Sequence, residues 1–148
     1  MHEAILDVDL LAFERGDADA RDAVVDGVRR SLASGFVYTS SDLPVDLLDT
    51  AYGLLQRFFA LEADTKRRFR APGASGQTGY TEVLVETAAG SDHPDWKEML
   101  NWADPLPAGH PLRLRFPAFY PDPVLPEAAV PGITAVLGEF HRAIADLQ

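Results

Sequence analysis

Along residues 5–10, Ile-Leu-Asp-Val-Asp-Leu, apolar and acidic positions alternate. A period of two predicts a short strand with Leu6, Val8 and Leu10 turned inward and Asp7 and Asp9 on the outer face. Over residues 19–34 the period changes. Val24, Val28 and Leu32 recur four apart among charged residues, which predicts an amphipathic helix, and Gly35 follows where a C-terminal cap belongs. The aromatic and β-branched run 36–39, Phe-Val-Tyr-Thr, predicts a second strand. Ser41 or Asp42 can then cap a helix, and Pro44 suits its first turn. That helix has the clearest pattern in the chain. Leu47, Leu48, Ala51, Leu54, Leu55, Phe58 and Phe59 form one apolar stripe, so Phe58 and Phe59 are expected in the core.

Residues 62–69 continue as a short charged helix, and 71–79 form a glycine-rich loop whose spacing matches no phosphate-binding fingerprint. Residues 80–87 are expected to form a strand, with Glu82 and Glu86 sharing a face. The stretch 103–131 is dense in proline and is expected to be mostly extended loop. From Pro131 a last helix carries Ile133, Val136, Leu137, Phe140, Ile144 and Leu147 on one face. The mixture predicts an α+β fold.

Composition narrows the function. The chain has 148 residues, with 47% hydrophobic and 24% charged, enough for one domain with a modest core. It has no cysteine, which removes disulfides, thiolate metal sites and a cysteine nucleophile. A net charge of −10 opposes nucleic-acid binding. No apolar run approaches the roughly 20 residues of a membrane span. The N-terminus lacks signal-peptide character, so a cytoplasmic location is expected. The cluster 66–70, Lys-Arg-Arg-Phe-Arg, is expected to be a solvated helix end.

The order of motifs carries a resemblance. The segments ILDVDLLAFERGD, GFVYTSSDLPVDLLDTAYGLLQRFFALEADTKRRF, GY and DWKEMLNW follow one another as in the N-terminal half of the isopenicillin N synthase-like dioxygenases. The most telling parts are Gly35-Phe36, the helix after it, Phe58-Phe59-Ala60-Leu61 and Lys66. Ser40-Ser41-Asp42 stands where that family often has Asn-His-Gly. The resemblance implies Fe(II) and 2-oxoglutarate as cofactors of a full-length parent, and a C-terminal double-stranded β-helix, or jelly roll, that carries the iron ligands. On that basis residues 1–102 are the N-terminal region, 103–130 a proline-rich connection, and 131–148 the start of a long helix. The missing catalytic core, or self-association in its place, is the expected partner of that helix. The resemblance also implies that Gln77, Tyr80, Thr81, Lys97 and Asn101 help bind a small-molecule substrate. The residues alone give each an ordinary surface or core role as well.

One triplet spells an iron motif. His93-Pro94-Asp95 is an H-x-D, and Fe(II) oxygenases use two histidines and a carboxylate. Two side chains at i and i+2 converge when they lie on a strand. Here proline sits between them, and Ser91-Asp92-His93-Pro94 is a turn composition. The third ligand would be His110 or His141. A self-contained metalloenzyme using His93, Asp95 and His141 therefore stays a lesser alternative. So does a small α+β interaction module that docks through its proline-rich stretch. With no iron site of its own expected, the 148-residue chain is not expected to act as an enzyme alone.

Overall fold

The structure, a computed structural model, describes residues 5–16, 18–31, 35–74, 76–103 and 105–146. They form two compact units that divide after Pro44.

In the first unit, strand β1 (Leu6–Val8) pairs in parallel with β2 (Val37–Thr39), with Leu6 opposite Val37 and Val8 opposite Thr39. The connection holds helices α1 (Leu10–Glu14) and α2 (Ala18–Ser31). The expected strand at 5–10 ends at Val8, and Leu10 begins a helix instead of facing inward from a strand. The reason is Asp9, whose Oδ1 accepts the Ala12 N–H at 3.0 Å and the Ser40 hydroxyl at 2.8 Å. A capping aspartate satisfies a helix N–H that would otherwise lack a partner, and it turns the chain out of the strand.

The buried face of α2 is also displaced from the expected one. Val24, Gly27 and Ser31 are buried, while Val28 is 45% exposed. Leu32 and Ser34 lie outside the described residues. Gly27 decides the face: a Cβ built there would stand 2.2 Å from Val8 Cγ1, so only a bare α-carbon lets the strand come this close. Ser31 can be buried because its hydroxyl donates to the Val28 carbonyl at 2.7 Å.

The second unit is built on helices α3 (Val45–Phe59) and α6 (Ile133–Ala145), which pack together. The predicted stripe on α3 is the core face: Ala51, Leu54 and Phe58 are buried, and Leu55 and Phe59 pack against them. From α6 come Ile133 and Leu137, joined by Val130, Tyr80 and Leu100. Phe58 is fully buried and meets Phe59, Phe69 and Tyr80 edge-on, at ring centroid distances of 5.2, 6.1 and 5.8 Å. The start of α6 is capped from outside the helix by Glu127, whose carboxylate accepts the Gly132 and Thr134 N–H groups at 2.7 and 3.0 Å. Farther along, Trp102 Nε1 donates to the Leu137 carbonyl at 3.2 Å.

Between these helices lie α4 (Ala63–Arg67), β3 (Gly79–Thr81), β4 (Met99–Asn101) and α5 (Pro111–Arg115). Strands β3 and β4 are antiparallel, with Tyr80 opposite Leu100. The strand expected over 80–87 stops at Thr81. Leu84 adopts φ +63°, and its N–H bonds to the Asp95 carbonyl at 2.8 Å, so the chain turns there. The proline-rich stretch is irregular apart from α5, and its far end is packed firmly, with Pro126 and Val130 buried.

Candidate functional site

A buried polar cluster ties the second unit together. Lys66, at the end of α4, is 8% exposed, so the expectation of a solvated helix end fails for this residue. Its Nζ donates to Glu98 Oε2 at 2.7 Å, to Oε1 at 3.0 Å and to the Phe59 carbonyl at 3.0 Å. The last of these bonds places a cation on the C-terminal carbonyls of α3, where the helix dipole favours it. The Tyr80 hydroxyl donates to Glu98 Oε2 at 2.6 Å. Burial pushes the Tyr80 hydroxyl up to about 12, and its bond to Glu98 adds to the shift. For Glu98, burial acts upward, but the bonds from Lys66 and Tyr80 outweigh it and hold the carboxyl below its ordinary value. Arg67 and Arg70 are not free in solvent either, because both pair with Glu82. Glu86 pairs with Lys97, so the two glutamates expected on one strand face serve separate ion pairs.

Two hollows flank β3. The first, about 230 Å³, is lined by Gln77 and Thr78 on one side and by Leu106, Phe119, Tyr120 and Pro121 of the proline-rich stretch on the other. The second, about 320 Å³, includes Arg70, Thr78, Tyr80, Thr81 and Glu82. Thr78 lines both. Its hydroxyl oxygen accepts the Val124 N–H at 2.8 Å, which joins the glycine-rich loop to the proline-rich stretch.

The residues expected to touch substrate are therefore spread around this region. Gln77 lines the first hollow, and Thr81 and Tyr80 the second. Tyr80 is 5% exposed and belongs to the core through its ring. Asn101 spends its side-chain N–H on the Gly76 carbonyl at 2.9 Å, which holds the glycine-rich loop. Lys97 bridges Glu86 and Asp95 at 3.1 and 3.2 Å, and these contacts raise its pKa, the Glu86 bond first. Lys66 and Glu98 were missed as partners. The order of motifs marked both segments, but no local pattern shows that a lysine and a glutamate 32 positions apart meet in the core.

Among the described residues, the candidates His93, Asp95 and His141 are not gathered into an Fe(II) centre. His93 lies in a bend, where the Ser91 hydroxyl accepts its N–H at 3.1 Å; Pro94 forms an isolated antiparallel bridge with Thr87, and the Asp95 carboxylate is paired with Lys97. His141 lies on α6, with a buried Nδ1 that has no hydrogen-bond partner. Among the described residues, no three His, Asp or Glu side chains gather as a metal would require. Nor, among them, is any helix long and apolar enough to cross a membrane.

Residues 5–123 match the family described as the N-terminal region of the non-haem dioxygenase in morphine synthesis. The chain belongs to this family of dioxygenase N-terminal regions. Consistent with that membership, its fold is similar to the crystal structure of a 2OG-Fe(II) oxygenase family protein from Caulobacter crescentus, with a TM-score of 0.75 and 29% sequence identity. The match covers 97% of this chain and 45% of the Caulobacter protein, so the chain spans just under half the length of that relative. No curated protein matches the chain. In this dioxygenase N-terminal region, the motifs that carried the resemblance form the α3 stripe, the Lys66–Glu98 pair and the β3–β4 hairpin.

Proposed function

We propose that this chain is the N-terminal portion of an Fe(II)- and 2-oxoglutarate-dependent oxygenase that oxidises or hydroxylates a small molecule. It supplies scaffold and part of the substrate pocket. On this reading iron and 2-oxoglutarate are held by a jelly-roll part of the protein, as the family resemblance implies. The observation that carries this reading is the likeness to the Caulobacter oxygenase, which runs through nearly the whole of this chain and leaves more than half of that protein unmatched. Gln77, Thr81 and Tyr80, which line the hollows beside β3, are the substrate-facing candidates, with Asn101 setting the loop that carries Gln77. Lys97, half-exposed and paired with Glu86 and Asp95, would be a further contributor. The protein would work in the cytoplasm.

The reading is tested by the coding sequence after Gln148 and by the activity of its product. The expected sequence contains an H-x-D, a distant histidine and an Arg-x-Ser. The expected product releases succinate from 2-oxoglutarate when Fe(II) and oxygen are supplied. A frame without those residues, or a product that consumes no 2-oxoglutarate, would overturn it. The 148-residue chain by itself is expected to give no stoichiometric, 2-oxoglutarate-sensitive Fe(II) binding in an anaerobic titration.

A further inference from the structure

We propose that the 230 Å³ hollow between the glycine-rich loop and the proline-rich stretch is a preformed site for a neutral, ring-sized, mostly apolar group bearing one hydrogen-bond acceptor. The assignment rests on the oxygenase reading only in naming the substrate as the molecule that carries this group.

Size comes first. A cavity of about 150 Å³ holds benzene, and drug-sized ligands occupy about 300 Å³ or more, so this hollow suits one substituted ring rather than a whole large ligand. Chemistry comes second. Among the described residues that line it, none is charged; the walls are proline, leucine and aromatic rings, with Gln77 and Thr78 as the polar members. An ionised group would lose hydration there and meet no charged lining side chain among the described residues. Thr78 is 6% exposed, and its oxygen already accepts the Val124 N–H, which leaves the hydroxyl hydrogen to donate. That is the recognition element for a carbonyl or ether oxygen.

Rigidity comes third, and here the structure is specific. Arg113 does not line the hollow, yet it fastens two parts of its wall. Its Nη1 donates to the Leu106 carbonyl at 2.8 Å, and its Nη2 donates to Asp122 at 2.5 Å, between the lining residues Pro121 and Pro123. On the opposite side, Asn101 holds the loop at Gly76, and Thr78 holds Val124. Walls fixed before binding reduce the ordering cost of binding. The proline-rich stretch thus becomes a wall of a site, a role beyond that of a connection between domains.

The test uses acetophenone, a neutral ring with one carbonyl, against benzoate, which has nearly the same shape and a negative charge. Each is titrated into the whole 15N-labelled chain without iron or 2-oxoglutarate, following the amides of Thr78, Leu106 and Tyr120. Acetophenone is expected to shift these amides saturably, with benzoate at least tenfold weaker. Ala103→Phe, at an exposed lining position, is expected to fill the hollow and weaken acetophenone at least tenfold while the rest of the spectrum stays folded. Thr78→Ser is expected to bind acetophenone as the parent does, and Thr78→Val several-fold more weakly; should the latter unfold, Ala103→Phe still decides. Absence of a saturable shift, benzoate binding as well as acetophenone, or undiminished binding by Ala103→Phe would overturn the assignment. Because the readout is binding and not turnover, its failure is distinguishable from failure of the oxygenase reading.

Discussion

Lys66→Met removes the cation from the centre of the second unit while keeping a side chain of similar length. Lys66 Nζ makes three bonds, two to the Glu98 carboxylate and one to the Phe59 carbonyl, and lies 5.6 Å from the Tyr80 ring centroid. The side chains of Lys66 and Glu98 are 10% and 26% exposed, so the pair is screened far less than a surface bridge. In the variant, Glu98 keeps a bond from the Tyr80 hydroxyl but faces no cation, and the Phe59 carbonyl loses its side-chain donor. Breaking a buried pair from one side costs about 3–5 kcal/mol, and the partial access of Glu98 to water points to the lower end, about 3 kcal/mol. For a chain of this length that corresponds to a fall of roughly 10 °C in melting temperature. Urea unfolding followed by tryptophan fluorescence is a suitable assay, because Trp96 and Trp102 both belong to the unit that holds the pair. Adding Glu98→Leu removes the stranded charge as well. The double variant is therefore expected to lose much less than the sum of the single losses, with a coupling of about 2–3 kcal/mol. A loss below about 1 kcal/mol for Lys66→Met, the range of exposed bridges, or strict additivity in the cycle would refute the buried-pair account.

Phe58→Ala is expected to cost about 3–5 kcal/mol, since a fully buried ring with three aromatic neighbours leaves a cavity, and an unchanged melting curve would show that the α3 stripe is not core. Gly27→Ala should destabilise the first unit by about 1–3 kcal/mol even though alanine is the better helix former, because its methyl collides with Val8; pairing it with Val8→Ala should recover part of the loss in thermal melts. At alkaline pH, Tyr80 keeps its proton in the fold up to about 12, against an ordinary value of 10.0, so its contribution is complete below pH 10 and lost as pH rises toward 12. Stability of the parent should fall over that window more steeply than that of Tyr80→Phe, and parallel curves would argue against the Tyr80–Glu98 bond. At acid pH the sign reverses: the Glu98 carboxyl is held below its ordinary 4.5, so the stability it contributes is present above that value and lost as pH falls through the folded one. A Glu98→Gln variant should show a shallower acid loss in pH-dependent urea midpoints.

The sequence alone determined the α3 stripe, the last helix, the α+β mixture and the family. Those features are written in local periodicity and in the order of segments, which survive without knowledge of what each element meets. It misplaced the face of α2, because the choice between Val28 and Gly27 as the inward position depends on how closely Val8 approaches, a contact between residues 19 positions apart. It extended β1 through Leu10 because Asp9 looks like an outward strand residue until Ser40 and the Ala12 N–H are seen to use it as a cap. The residues 66–70 illustrate the same point with charge. A run of cations signals a solvated helix end by composition, yet Lys66 is drawn inside by Glu98 and Phe59, and Arg67 and Arg70 converge on Glu82. The hollow beside Thr78 was equally hidden, since its walls come from residues 77–78 and 103–123, and proline content alone shows only that the second stretch is irregular. Periodicity reports which side of an element is apolar; only the packed chain decides which distant polar groups share a dielectric, and hence which of them are buried, paired or left to bind a ligand.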